Sequence, residues 1–284
     1  MPRLSDSLRD FLDREPACVL VEVTGADGST PRDTGTWMLV SERGLFGTIG
    51  GGQLEYMAID QARRALRGNL AAGGMTIPLG PEIGQCCGGR VVLSFTAVDG
   101  ALARRLIESN GRDIASRPHV YVFGAGHVGN ALADALALAP VRTILVDTRE
   151  EELAAARAAG IETCLTPLPE AVVRDAPAGS AFVILTHDHA LDFLIAAEAL
   201  CRDDAAYAGM IGSKTKRATF KSWLARETGR SGLFGRLVCP IGGTMVKDKR
   251  PAVIAALAAA EILTAVLSWR QQRHDAAVSK SVIL

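Results

Sequence analysis

The sequence predicts an α/β protein in which an N-terminal α+β domain with a small sheet precedes a Rossmann-like domain with a parallel sheet. A length of 284 residues suits roughly two domains. In the first part, short apolar runs alternate with glycine-rich turns, which indicates strands joined by loops. In the second part, strand and helix patterns alternate, which is typical of a parallel sheet. We therefore expect one domain over residues 1–110 and a second over residues 111–284.

The N-terminal domain is predicted to contain four strands and two helices. The apolar runs that predict the strands span residues 17–24, 36–40, 46–49 and 91–98. Helical spacing of apolar side chains predicts a helix over residues 54–67, and a shorter helix is expected over residues 101–109. The polar stretch 110–118 follows, and we expect the domain boundary within it.

Four strand–helix units are predicted in the C-terminal domain. The strands span residues 119–123, 143–146, 181–186 and 207–211, and the helices begin at Val128, Arg149, Ala190 and Lys214. Such alternation implies parallel strands joined by right-handed crossovers.

An apolar stretch at residues 252–269 raises the question of a membrane span. It is slightly shorter than the roughly 20 residues that a span needs. Glu261 lies at its middle, where a charge inside a membrane is costly. A helix that is apolar on all sides is more often buried in a core or a subunit interface. We therefore expect no membrane insertion, and we expect a homodimer.

The charge balance argues against nucleic acid as a partner. Lysine plus arginine and aspartate plus glutamate each number 31, so the formal net charge is zero. A neutral chain has no overall field that gathers nucleic acid or an anionic membrane. Residues 1–16 lack the apolar core of a signal peptide, so we expect a cytoplasmic protein with reduced thiols.

Two of the six cysteines stand apart from the others. Cys18, Cys164, Cys201 and Cys239 occur singly in apolar surroundings and are expected to be small buried side chains. The other two are adjacent, in the segment Gly84-Gln85-Cys86-Cys87-Gly88-Gly89. Flanking glycines let a backbone approach a ligand closely. The segment, with Gln85, Cys86 and Cys87, is therefore expected to bind a ligand, and its thiolates suit a soft metal.

A glycine-rich loop follows the strand at residues 119–123. Its sequence, Gly124-Ala125-Gly126-His127-Val128-Gly129, fits the pattern G-x-G-x-x-G. Gly124 permits the tight turn, Gly126 lets the backbone approach a phosphate, and Gly129 lets the helix pack closely on the strand. Asp147 ends the next strand, near the offset at which a carboxylate binds a ribose 2′-OH. His127 is expected to face the ligand, with a solvent-facing side chain as the alternative.

Two further polar loops follow strands of the same domain, at the edge where open α/β sheets bind ligands. His187 is expected to bind a ligand or to act as an acid or base, with a helix-capping turn as the alternative. A metal held by His187 and His189 is not favoured, because no third ligand occurs at metal spacing. Ser213 and Lys214 are expected to hold a phosphate, with a helix cap and solvated charges as the alternative.

In the N-terminal domain, three consecutive glycines lie between a strand and a helix. Gly50, Gly51 and Gly52 provide more flexibility than a turn requires, which favours close approach to a ligand. Glu55 falls in the first turn of the following helix and is a candidate ligand contact. The helix dipole alone also favours a carboxylate there, so a purely structural role stays open.

Seven motifs occur in order along nearly the full length of the chain. They are Gly28–Arg32, Gly47–Glu55, Gly84–Gly89, Phe123–Gly129, Thr186–His189, Gly209–Lys214 and Cys239–Gly242. Together they resemble the XdhC/CoxI family of maturation factors for molybdenum hydroxylases. The combination of Gly-Gln-Cys-Cys-Gly-Gly with Gly-Ala-Gly-His-Val-Gly is specific, because neither ordinary dehydrogenases nor NAD sensors combine the two.

The resemblance implies a chaperone for the molybdenum cofactor (Mo-molybdopterin), a pterin dithiolene that carries a phosphate. It implies that the protein holds this cofactor while its terminal sulfido ligand is installed and then delivers it to apo-xanthine dehydrogenase. A cysteine desulfurase is a further expected partner, and no catalytic residue is expected. We expect the cofactor between the domains, with Cys86 or Cys87 near molybdenum. The Rossmann loop would hold the pterin phosphate or a nucleotide such as NAD(P).

Two other functions stay open at the level of the sequence. A nicotinamide-dependent oxidoreductase would use the Rossmann loop, Asp147 and the region of His187 and His189. A sulfur-transfer catalyst would carry a persulfide on Cys86 or Cys87. The Rossmann domain alone does not discriminate among these functions, because a fold does not determine a function. The cysteine loop favours the cofactor chaperone, since a simple dehydrogenase has no use for it.

Overall fold

A computed structural model of the chain describes residues 4–68, 74–80 and 88–281. The contacts divide the chain into two compact units, Met1–Ala115 and Ser116–Leu284. The division falls inside the polar stretch 110–118, in which the sequence places the boundary.

The first unit is built on an antiparallel sheet with helices on both faces. Its elements, in chain order, are α1 (Leu4–Arg14), β1 (Cys18–Asp27), β2 (Trp37–Ser41), β3 (Leu45–Gly47), α2 (Gly52–Leu66), β4 (Met75–Pro78), β5 (Arg90–Ala97) and α3 (Gly100–Ala115). The strands are ordered β3-β2-β1-β5-β4. Each neighbouring pair is antiparallel.

Alternating side chains of β1 explain why both faces of this sheet are covered. Val19 and Val21 pack with Leu54 of α2 on one face. Cys18 and Leu20 join α1 and α3 on the other face. Successive side chains of a strand point to opposite faces, so a run of apolar residues serves two layers at once.

Three features of this unit differ from the sequence predictions. The helix α1 was not predicted, because its charged residues mask the two apolar side chains, Leu8 and Phe11, that it buries. The short strand β4 was also not predicted. The helix α3 continues to Ala115 through residues assigned to a polar linker. Leu106 anchors this helix, while Gly111 is exposed and costs it little packing.

The second unit contains a five-stranded parallel sheet, which confirms the predicted Rossmann-like fold class. Its elements are β6 (His119–Phe123), α4 (His127–Leu136), β7 (Arg142–Asp147), α5 (Glu150–Ala158), β8 (Glu162–Leu165), α6 (Pro169–Asp175), β9 (Ala181–Ile184), α7 (His189–Cys201), β10 (Tyr207–Met210), α8 (Lys214–Thr228), a 3₁₀ helix (Ser231–Arg236) and α9 (Pro251–Ser281). The strand order is β10-β9-β6-β7-β8. The pair β8 and α6 was not predicted.

The chain order of the strands reverses beside β6. Its neighbours are β7 on one side and β9 on the other, both parallel to it. Phe123 at the end of β6 pairs with Ile184 at the end of β9. The loops that leave these two strands therefore emerge side by side, at the switch point where open α/β sheets bind ligands.

The apolar helix α9 belongs to the second unit. Within the part of the chain that the structure describes, one segment, Pro251–Arg273, is long and apolar enough to cross a membrane, and 28% of its most apolar window is buried. Its buried side chains Ala255, Ile262 and Val266 share a core with α4 and the sheet. Glu261 accepts a hydrogen bond from the Tyr207 hydroxyl. The charge at the middle of this helix thus has a partner on the sheet.

The four single cysteines differ in exposure. Cys18 is buried, while Cys164 and Cys239 are half-buried. Cys201 is exposed, so the expectation of a buried side chain was wrong there, because it is the last residue of α7.

Candidate functional site

The glycine-rich loop between β6 and α4 has two glycines that the fold itself requires. Gly124 has a φ of 112°. A Cβ there would also lie 2.8 Å from the carbonyl carbon of Leu185 on the neighbouring loop. A Cβ on Gly129 would overlap the carbonyl oxygen of Gly124 and lie 3.1 Å from Leu185 Cδ1. Gly124 excludes a side chain because the loop after β9 lies against it, and Gly129 does so because α4 packs against the glycine-rich loop.

Gly126 is different, because the chain itself does not need a glycine there. Its φ of −72° suits any residue. A Cβ added at Gly126 would meet no heavy atom of the described residues within 4 Å. The residue is the N-cap of α4, and in the described part of the chain no side chain caps this end of the helix. The N-terminus of α4 therefore presents free N–H groups beside open space, which suits a phosphate.

Asn130 and Asp147 hold the loop in this shape. The Asn130 side-chain amide donates to the carbonyl oxygens of Ala125 and Gly126. The Ala125 N–H donates to Asp147 Oδ2 at 2.8 Å. The loop is thus fixed by its own chain, and Asn130 was not identified by the sequence reasoning.

Arg149 also binds the carboxylate of Asp147 and was likewise missed by the sequence reasoning. Its backbone N–H and its Nε each lie 3.1 Å from Asp147 Oδ1. Its Nη2 lies 3.2 Å from Asp147 Oδ2. Burial raises the pKa of Asp147, but the hydrogen bonds from Arg149 and Ala125 outweigh it and lower the pKa below its ordinary value. Asp147 is 5% exposed and stays ionised at neutral pH.

The lowered pKa of Asp147 makes the second unit sensitive to acid. The contribution of a carboxylate with a depressed pKa is complete above its unfolded pKa, about 3.9, and is lost as the pH falls through its folded pKa. We expect Asp147→Asn to lower the free energy of unfolding by about 2 kcal/mol at pH 7. The deficit should shrink towards about pH 3. Urea titrations at both pH values measure it.

The exposed Asp134 of α4 supplies the control for this prediction. Asp134→Asn should leave the free energy of unfolding unchanged at both pH values, since surface substitutions usually have small effects. A deficit for Asp147→Asn that stays the same at low pH would contradict the prediction.

A small cleft, with room for about one water molecule, lies at this edge of the sheet. Its lining comes from the ends of β6, β7 and β9 and from α6 and α7: Phe123, Gly124, Val146, Asp147, Thr148, Pro169, Thr186, His187 and Leu191. The structure thus brings together three residues predicted from the sequence, Gly124, Asp147 and His187. The walls are largely apolar, with polar groups from the strand ends.

A buried ion pair lies beneath the loops that follow β9 and β10. Asp192 is completely buried and pairs with the Nζ of Lys216, whose side chain is 9% exposed. Asp192 also accepts from the N–H of Thr186 at 3.0 Å and from its hydroxyl at 2.7 Å. Lys216 Nζ donates in addition to the carbonyl oxygen of Ile211 at 3.0 Å. The pair therefore ties the loop of His187 to the loop of Ser213.

The polar residues of these two loops have mixed roles. Asp188 caps α7 by accepting from the Ala190 N–H, while His187 and His189 are exposed. Ser213 caps α8 by accepting from the Lys216 N–H, and Lys214 is exposed. His127 at the start of α4 is exposed as well. Ligand binding by His127, His187, Ser213 and Lys214 stays a prediction.

In the first unit, the three glycines at the start of α2 all need their backbone freedom. Gly50, Gly51 and Gly52 have φ angles of 130°, 77° and 65°. A Cβ on Gly50 would lie 2.8 Å from the ring of Pro31. A Cβ on Gly51 would lie 3.6 Å from the Glu55 carboxylate. The turn itself thus accounts for the glycines, and a ligand role for Gly50, Gly51, Gly52 and Glu55 stays a prediction.

The end of the cysteine motif Gly84–Gly89 lies beside the motif Gly28–Arg32. Gly88 forms a parallel bridge with Ser29. A Cβ on Gly89 would lie 2.6 Å from the carbonyl oxygen of Asp27, so the two segments are in close contact. Residues 85–87, which include Gln85, Cys86 and Cys87, lie outside the described residues.

The described ranges contain no group of three or more His, Cys, Asp or Glu side chains that could hold a metal ion. The predicted metal contact of Cys86 and Cys87 falls outside these ranges and stays a prediction.

Comparison with known proteins places the two units in one family. The description "XdhC Rossmann domain" matches residues 120–262, just over half of the chain. The description "XdhC and CoxI family" matches residues 11–72.

Two individual proteins are also similar to this chain. The uncharacterized protein YqeB of Escherichia coli (strain K12) is 26% identical over 261 residues, which cover 86% of this chain and 42% of that protein. The chain thus spans about two fifths of the length of this relative. A crystal structure of a xanthine dehydrogenase from Bacillus halodurans matches with a TM-score of 0.77 and 16% identity, over 93% of this chain and 96% of that chain. This second likeness concerns the fold.

The sequence motifs indicate the XdhC and CoxI family, and the glycine-rich loop and the parallel sheet of the second unit agree with it. The two matched regions show that the chain belongs to the XdhC and CoxI family.

Proposed function

We propose that this protein is a maturation factor that binds the molybdenum cofactor, holds it during sulfuration and delivers it to apo-xanthine dehydrogenase. The cofactor is cargo in this role, so the protein needs no turnover of its own. A cysteine desulfurase would supply the sulfur. Membership of the XdhC and CoxI family supports a role in maturation.

The observation that carries the proposal is the open space at Gly126. Gly124 and Gly129 are required by the packing of the loop, whereas a side chain at Gly126 would enter space that the described residues leave open at the N-terminus of α4. A phosphate in that space would accept hydrogen bonds from the first N–H groups of the helix. The positive end of the helix dipole would also favour its charge. The pterin phosphate of the cofactor fits this requirement.

The cleft next to the loop supports the same function. Phe123, Val146, Pro169 and Leu191 give it apolar walls, and Thr186 adds a polar group. A ligand whose phosphate is bound at the loop would lie beside these apolar side chains and this hydroxyl. Thiolates of Cys86 and Cys87 would provide soft ligands for molybdenum.

The experiment is a titration of the purified protein with molybdenum cofactor, followed by activation of apo-xanthine dehydrogenase. We expect Gly126→Ala to weaken cofactor binding at least tenfold, because its methyl group occupies the space of the phosphate. The variant should stay folded, with a change in stability of less than about 1 kcal/mol. Gly235→Ala is the matched control, since that position in the same unit is also open. Unchanged cofactor binding by Gly126→Ala contradicts the proposal.

The same titration tests the cysteine pair. We expect Cys86→Ala/Cys87→Ala to lose molybdenum retention and target activation. Cys201→Ala, at an exposed cysteine, should behave as the unsubstituted protein. If the double variant binds the cofactor and activates the enzyme normally, the thiols of Cys86 and Cys87 have no role in the proposed site. Binding of NADH without binding of the cofactor would instead favour an oxidoreductase.

A further inference from the structure

Asp147 lies where the carboxylate of a dinucleotide-binding domain meets the ribose, but its hydrogen-bonding capacity is already used. An ionised carboxylate has about four acceptor positions. In Asp147, Oδ2 accepts from the Ala125 N–H and from Arg149 Nη2, at 2.8 and 3.2 Å. Oδ1 accepts from the backbone N–H and the Nε of Arg149, each at 3.1 Å. All four positions are taken by groups of the chain itself.

Arg149 is held in this arrangement by a second carboxylate. Its Nη1 lies 3.1 Å from Glu152 Oε1. The side chain is 31% exposed, and Asp147 beneath it is nearly buried. Moving the guanidinium away would break two ion pairs and leave the Asp147 carboxylate with fewer donors in a buried position, which is costly. Asp147 lines the cleft, so its pair with Arg149 is a built feature beside it.

We propose that Arg149 is a specificity-determining residue that excludes ligands with an unphosphorylated ribose diol, such as NAD(H), from the Rossmann cleft. The Arg149 guanidinium takes acceptor positions of the Asp147 carboxylate, so the two ribose hydroxyls find no acceptor there. A buried polar group without a partner lowers affinity. The site then favours a phosphate-bearing heterocycle that has no vicinal diol at this point. This inference rests on the proposed function only in that the loop at Gly126 holds the phosphate. It replaces the ribose role that the spacing of Asp147 predicts.

The test is a titration of the whole chain with NADH, in which the fluorescence of NADH reports binding. We expect the unsubstituted protein to show no saturable binding at micromolar NADH. Arg149→Met removes the guanidinium but keeps the backbone N–H and the apolar stem. This frees two acceptor positions of Asp147, and NADH affinity should rise about tenfold or more.

The neighbouring carboxylate supplies the matched control. Glu152→Gln removes the negative charge beside Arg149 Nη1 but keeps the pair of Arg149 with Asp147, so NADH affinity should not rise. A second variant, Arg149→Lys, retains the charge with a single donor group and should give a smaller gain than Arg149→Met. It also keeps the test decisive if Arg149→Met does not fold.

Three results would overturn the inference: low-micromolar NADH binding by the unsubstituted protein, no gain in folded Arg149→Met or Arg149→Lys, or an equal gain in Glu152→Gln. These results are distinct from failure of the proposed function, which is read from molybdenum cofactor binding by Gly126→Ala. Adding Gly126→Ala to Arg149→Met should abolish the gained NADH affinity, since both ligands place a phosphate at the same loop.

Discussion

Replacing Gly129 by alanine is expected to lower the unfolding temperature of the second unit by about 6 to 12 °C. The added methyl group would overlap the carbonyl oxygen of Gly124 and press on Leu185. The helix α4 must then move away from β6, and overpacking of this kind costs about 3 kcal/mol or more. Since α4 shares a core with α9, the loss extends to the outer helical layer.

Tryptophan fluorescence can follow this unit selectively. Trp223 and Trp269 lie in the second unit and Trp37 in the first, so a Trp37→Phe background reports the second unit alone. Gly126→Ala in the same background is the control, because its methyl group meets no heavy atom of the described residues within 4 Å. Equal unfolding temperatures for the two alanine variants would refute the packing role of Gly129.

Replacing Lys216 by methionine is expected to lower the free energy of unfolding by about 3 to 5 kcal/mol. The substitution leaves the carboxylate of Asp192 completely buried without its cation. Methionine has a similar length and keeps the apolar contacts, so the loss reports the unpaired charge rather than a cavity. The loops after β9 and β10 should also separate, because Lys216 joins Asp192 to the Ile211 carbonyl.

A double variant distinguishes the charge from the packing. Asp192→Asn in the Lys216→Met background removes the unpaired charge and keeps an acceptor for Thr186. We expect it to recover more than half of the lost stability, measured by urea unfolding in the Trp37→Phe background. If the double variant is no more stable than Lys216→Met, the ion pair does not account for the effect.

The elements with strong periodic patterns were predictable. The strands β1, β2 and β5 and the four strand–helix units of the second unit were all expected, with ends shifted by a few residues. Their apolar runs are long enough to stand out against the turns that flank them. The elements missed, α1, β4, β8 and α6, have 11, 4, 4 and 7 residues. The elements β4, β8 and α6 are short, and α1 is rich in charge, so their formation depends on the sheets against which they pack.

The candidate site was predictable in its glycines but not in its contacts. The spacing of Gly124, Gly126 and Gly129 identified the loop, since only a few backbone geometries use that pattern. The same pattern predicts the roles of the three residues, and the space around Gly124 and Gly129 agrees with them. The partners of Asp147 were not predictable, because the local pattern shows only that a carboxylate follows a strand.

By itself, the sequence determined that this protein has two units, that the second carries a parallel sheet with a phosphate-type loop, and that the chain resembles the XdhC/CoxI family. These properties depend on local patterns: apolar periodicity, glycine at turns and motif order. Only the tertiary structure decided that Arg149 takes the acceptor positions of the Asp147 carboxylate and that Lys216 pairs with Asp192. It also decided that, of the three loop glycines, Gly126 borders space that the described residues leave open. Burial, distance and competition for hydrogen bonds are properties of residues brought together in space, and no pattern along the chain states them.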